Sequence, residues 1–135
     1  MGENDSLIPT DWYEIGERDM TAAKLLLPDD KLLAVAGMLL QQAVEKYLKG
    51  YLLSRGWQLR RTHDLGALLK DLIGYDGDFA VFTDACLKIT DFYFENRYPL
   101  YVRSSMERAE LEALFSQAES LIALIKSRSA RSPSV

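Results

Sequence analysis

Apolar residues recur every three or four positions along most of the chain, and alternation with a period of two never lasts long enough to mark a strand. The pattern predicts an all-α, up-and-down bundle of four long helices and one short one. The first helix spans about Asp11 to Leu27, capped by Thr10 after Pro9 and closed by Pro28, with Trp12, Ile15, Ala22, Ala23 and Leu26 on its apolar side. The second starts at Asp29 or Asp30 and ends at Gly56. Its apolar stripe, from Leu32 through Leu40, Val44, Tyr47 and Leu48 to Leu52, is too broad for a single neighbour. Such a helix is central in its own domain, or buries one side there and another in a partner subunit.

The short third helix is predicted over His63 to Ile73, with Thr62 or His63 at its cap and Gly74 beyond it. The fourth covers about Asp78 to Glu95, burying Phe79, Phe82, Cys86, Ile89 and Phe92 or Tyr93, and Asn96-Arg97-Tyr98-Pro99 ends it because a residue preceding proline leaves helical geometry. Ser104-Ser105-Met106-Glu107 has the capping-box pattern and predicts the start of the fifth helix, with Ala109, Ala113, Leu114, Ala118, Leu121, Ile122 and Ile125 inward. The serine- and arginine-containing stretch after Lys126 is expected to fray, which gives a flexible lead over 1–10, a folded domain over 11–126 and a tail over 127–135.

The 135 residues, 48% apolar and 27% charged, suit one globular domain that builds its core without metals or cross-links. A single cysteine, Cys86, fits a reducing compartment, and no run resembles a secretion signal or a membrane span, so the expected location is cytoplasmic. With a formal charge of −4 there is no overall positive field for double-stranded DNA, and only a local patch can attract an anion. Such a patch exists, because Lys46 to His63 contains no acid but includes Lys46, Lys49, Arg55, Arg60 and Arg61.

One cysteine and one histidine supply no zinc ligand set, and the glycines are isolated, which excludes a phosphate-cradling glycine-rich loop. No cofactor is expected. Cys86 lies on an apolar stripe and reads as a buried core residue rather than a nucleophile.

Three constellations carry candidate chemistry. Gln41, Gln42, Glu45, Lys46 and Lys49 crowd neighbouring faces of the second helix, where Glu45 and Lys49 are in the favourable order for an ion pair on a solvated face, and the two glutamines require partners. Arg60-Arg61-Thr62-His63-Asp64 stands at the mouth of the third helix, where helix-start amides and two arginines suit a phosphate or carboxylate, while Thr62, His63 and Asp64 equally suit capping. Around Arg97 lie Tyr93, Phe94, Tyr98 and Tyr101, which suit either stacking on a base or covering the core, with Arg97 closing the helix end.

Trp12 with Glu17-Arg18-Asp19-Met20, the run Gln41 to Lys49, Thr62-His63-Asp64-Leu65 and Arg97-Tyr98-Pro99, in that order over about residues 11 to 126, resemble the HEPN family of small prokaryotic helical bundles. The resemblance implies a homodimer and a gene pair with a minimal nucleotidyltransferase of toxin–antitoxin type. It marks Gln41, Gln42, Glu45, Asp64 and Tyr98 as family-motif positions. Many members are metal-independent ribonucleases in which an arginine is followed, after four to six residues, by a histidine. Here no histidine follows Arg97, and the only one, His63, stands beyond the permitted spacing from Arg55 and too close to Arg60 and Arg61. Two expectations follow. In the first, the protein is a non-catalytic module that binds a nucleotide or a nucleotidyltransferase partner, with Lys46, Lys49, Arg60, Arg61, His63 and Arg97 as anion contacts. In the second, it is an atypical RNA endonuclease in which His63 transfers protons and Arg97 stabilises the phosphate.

Overall fold

A computed structural model describes residues 5–97 and 107–131, excluding the side chains of 95–97 and 131. Five α-helices, α1 (Pro9–Leu26), α2 (Leu33–Ser54), α3 (Leu65–Tyr75), α4 (Thr83–Arg97) and α5 (Arg108–Arg131), make up the all-α fold, with 3-10 turns at Asp30–Leu32 and Gly77–Phe82. Four are long and α3 is short, as the periodicity predicts.

The breadth of the α2 stripe is explained by its central position, since α1, α3, α4 and α5 all pack on it. Leu40 is fully buried and Tyr47 is 2% exposed, so the stripe is satisfied within one protomer and neither residue lies on an external seam. Glycines let the helices approach closely. A Cβ on Gly16 would stand 2.8 Å from the Tyr47 ring, and one on Gly50 would stand 2.6 Å from Tyr13, an antiparallel pairing of α1 with α2. Gly37 admits the Phe92 ring in the same way, and Thr90 lies against Gln41, so α4 also runs antiparallel to α2. Lys24–Glu119 and Lys126–Glu17 ion pairs set α5 antiparallel to α1.

Several helix ends differ from the sequence expectation. Pro9, not Thr10, opens α1, because a proline lacks only an N–H that the first turn leaves unpaired anyway. Ser6 organises the entry instead, accepting from Ile8 N and donating to Asp11, while its carbonyl accepts from Trp12 Nε1. Asp29 caps a 3-10 turn through Lys31 N before α2 begins at Leu33. Gly56 ends α2 as expected. At φ +87° it allows Gly56 N to bond Leu53 O and Trp57 N to bond Leu52 O, the paired bonds of a Schellman motif.

At α3 the cap is Asp64, whose side chain accepts from Ala67 N, while Thr62 Oγ1 accepts from Asp64 N. The segment predicted as the start of the fourth helix is the 3-10 turn Gly77–Phe82, capped by Asp76. The proposed capping serine lies outside the described residues, and α5 starts at Arg108 with Glu110 Oε1 accepting from Glu107 N. Its buried face is shifted accordingly, with Leu111 and Phe115 inside and Ala109 and Ala113 exposed. Residues 127–131, expected in a frayed tail, continue α5, and Arg128 pairs with Asp76 and Asp78 on the opposite turn.

Candidate functional site

The acid-free cationic stretch and the glutamine-rich face of α2 converge on Glu45. Gln41, Glu45 and Lys49 are spaced four apart, so they form one row along the helix. All three are buried, Gln41 fully and the others to within 2%. Two side chains on this row face the loop that leads into α3. Gln41 Nε2 donates to the His63 carbonyl at 2.6 Å, and His63 Nδ1 donates to Glu45 Oε1 at 2.9 Å.

The rest of the row is equally committed. Lys49 Nζ donates to Glu45 Oε2 at 2.9 Å and lies 5.7 Å from the Trp12 ring centroid, a cation–π contact that ties α1 to the cluster. Lys46 Nζ stands 3.7 Å from the same oxygen. Thr90 on α4 donates to Gln41 Oε1 at 3.4 Å and accepts from Leu65 N at 3.1 Å, which satisfies an amide at the start of α3. One continuous polar network therefore joins α1, α2, α3 and α4.

Burial alone would push the Glu45 carboxyl upward, but Lys46, Lys49 and the bond from His63 outweigh it and hold the group below its ordinary value. Glu45 is thus an anion among cations, and Lys49 is a buried ion-pair member rather than part of a solvated face.

The predicted anion contacts are dispersed by this arrangement. Arg60 Nη2 donates to Asp71 Oδ2 at 2.8 Å, the oxygen that also accepts from Trp57 Nε1. Arg61 is exposed on the same loop. Asp64 turns its own carboxylate onto the α3 terminus, so the helix start is occupied by a protein acid. The His63 side chain is 59% exposed, with one edge fixed by Glu45. Gln42 is half-buried beside the network.

Arg97 is the last residue of α4. It lies seven residues past Thr90, about 10 Å along the axis at the helical rise, in the direction that leads away from Glu45 toward the start of α2. The α4 backbone thus reaches Arg97 about two turns beyond the Thr90–Gln41 contact, and the Arg97 side chain lies outside the described residues. Tyr98 and Pro99 lie outside the described residues.

Sequence reasoning missed Thr90 and Asp71. Thr90 had a legible signal, a polar side chain on an otherwise apolar stripe, whereas Asp71 had none until the loop folded over α3. Among the described residues there is no group of three or more histidine, cysteine or acidic side chains fit for a metal ion, and no helix is long and apolar enough to cross a membrane.

No curated protein and no solved structure matches the chain. The family model described as the HEPN domain matches residues 10–128, a span that contains Trp12, the Gln41–Glu45–Lys49 row, the His63 loop and the α5 helix through Arg128. With the match covering nearly the whole chain, and with Gln41, Glu45, Lys49 and His63 from two of its motifs forming one network, this chain belongs to the HEPN family.

Proposed function

We propose that this HEPN protein is a non-catalytic binding module, a homodimer that holds a nucleotide or a minimal nucleotidyltransferase in a toxin–antitoxin-type pair. The observation that carries this reading is the commitment of the histidine: Glu45 and Gln41 anchor His63 at the middle of α2, and no arginine precedes it at the family's spacing. The sequence offers no substitute, since His63 is its one histidine. Lys49, the buried cation, serves the fold, which leaves Arg60, Arg61, Lys46 and the free edge of His63 for a ligand or partner.

The test is recovery of a tagged copy from its native cell, with the mass of the complex and the identity of bound molecules determined, alongside incubation of the purified protein with RNA. A copurified nucleotidyltransferase or nucleotide with intact RNA is the expected result. RNA cleavage abolished by His63→Ala would overturn the non-catalytic reading.

One observation favours the alternative. A buried carboxylate fixing one nitrogen of an exposed imidazole is the arrangement that orients a histidine for proton transfer. In an RNA endonuclease built on it, Arg97 of a second copy would meet His63 across the dimer, and mixing His63→Ala with Arg97→Ala protein would restore part of the lost cleavage.

A further inference from the structure

In the middle of the cationic stretch, whose two ends meet Glu45, the turn after α2 folds over α3 and encloses a shallow depression of about 570 Å³, within the range of small-molecule sites. Trp57, Gln58, Leu59, Arg60, Asp71 and Tyr75 line it. The turn is fixed by its backbone: Gly56 adopts the left-handed conformation and delivers Trp57 back onto the bundle, where its indole bonds Asp71.

Three properties of this depression bear on what it holds. Tyr75, the last residue of α3, is 41% exposed, and the Arg55 guanidinium, which also donates to Tyr51 Oη, lies 5.9 Å from its centroid. Arg60 is held at the wall by Asp71 through Nη2 alone, and a guanidinium carries five N–H donors in a fixed fork, so an oriented set remains for an anion. The neighbouring carboxylates are already engaged: Asp71 by Arg60 and Trp57, and Asp76 and Asp78 by Arg128. Arg60 at the wall and Arg55 over the ring are therefore both exposed with the local acids paired, and Arg61, next to Arg60 in the chain, is exposed as well.

We infer that this depression binds a nucleoside phosphate, either free or as one unit of single-stranded RNA, with the base stacked on Tyr75 and the phosphate on Arg60. An aromatic face accepts any base, and a planar guanidinium fork suits phosphate oxygens. The inference rests on the nucleotide half of the reading above and places that ligand away from His63.

The experiment is fluorescence anisotropy of a labelled, short, mixed-sequence single-stranded RNA titrated with the full chain, with AMP and adenosine as competitors. Binding that weakens roughly tenfold in Tyr75→Ala and is retained in Tyr75→Phe is the expected result, given stacking of about 1–3 kcal/mol per base and tenfold per 1.4 kcal/mol. Arg60→Gln should weaken the phosphate-bearing probes, while Lys88→Ala on α4 should not, with thermal melts showing each variant folded. Displacement of RNA by AMP identifies a mononucleotide site, and resistance to AMP identifies an RNA unit. Absence of saturable RNA binding, wild-type affinity in Tyr75→Ala, equal loss in Tyr75→Phe, or adenosine competing as well as AMP would each overturn the inference. The two proposals fail separately: cleaved RNA in the same mixtures sinks the non-catalytic reading while leaving a Tyr75-dependent site standing. A captured nucleotidyltransferase without RNA or AMP binding does the reverse.

Discussion

The imidazole of His63 and the carboxylate of Glu45 meet at 2.9 Å across 18 positions of sequence, and this contact fixes the loop that enters α3 onto the middle of α2. Lys49 completes the arrangement from the other carboxylate oxygen, so two groups from two family motifs, His63 and Lys49, share one buried anion. The motifs occur together because they are two sides of one contact.

Removing the anion should be costly. Glu45→Gln leaves Lys49, 1% exposed, without a charged partner, and breaking a buried pair in this way costs about 3–5 kcal/mol. Denaturant unfolding should show that loss. The double variant Glu45→Leu with Lys49→Met should recover most of it, because the desolvation cost of both charges disappears together.

Acid should act through the same residue. The Glu45 carboxyl is pushed up by burial but pulled further down by Lys46, Lys49 and His63, so it ionises more readily folded than unfolded. Its contribution is then complete above the ordinary carboxylate value of 4.5 and is lost as pH falls through the lower folded value. Asp76, bonded by Arg128, and Glu17, bonded by Tyr47 and Lys126, shift in the same direction. Melting temperature should fall steadily below pH 4.5, and the slope should be shallower in Glu45→Gln.

Cys86 should be chemically silent in the folded protein. It is fully buried, and burial pushes its thiol up to about 12, so almost no thiolate exists at pH 8. A disulfide reagent should leave it unmodified in buffer and titrate one thiol in guanidinium chloride. Prompt reaction of the native protein would contradict the packing of α4.

Two glycines should respond oppositely to alanine. At Gly37 a Cβ would lie 2.0 Å from the Phe92 ring, and displacing a buried ring costs about 1–3 kcal/mol. Phe92→Leu in the same chain should restore part of that. At Gly74, within α3, nothing stands within 4 Å of a Cβ, so Gly74→Ala should stabilise by about 0.5–1 kcal/mol through lower unfolded-state entropy. Thermal or chemical unfolding of the two variants compares them directly.

The helices were legible where period and punctuation agree: Gly56 stops α2, and Phe79, Phe82, Cys86 and Ile89 all lie inside. Helix starts were less legible, because several aspartates and serines compete for each cap and only the approach of the chain selects among them. Asp64 outcompetes Thr62 and His63 since the latter's ring and carbonyl are taken by Glu45 and Gln41. The end of α5 was hidden because Arg128 is helical by virtue of Asp76 and Asp78, 52 and 50 positions away.

The sequence by itself determined an all-α bundle with α2 as its widest apolar helix, a family assignment carried by the Gln41–Lys49 and Thr62–Leu65 motifs, and the absence of an arginine–histidine pair at the family's spacing. Only the tertiary structure decided which of the cations face solvent. Charge is readable residue by residue, but whether it is available depends on distance to a counter-charge, and that distance is set by packing. Lys49 and Arg60 read alike in the chain, yet one is sealed against Glu45 and Trp12 while the other holds a fork at the edge of an open depression.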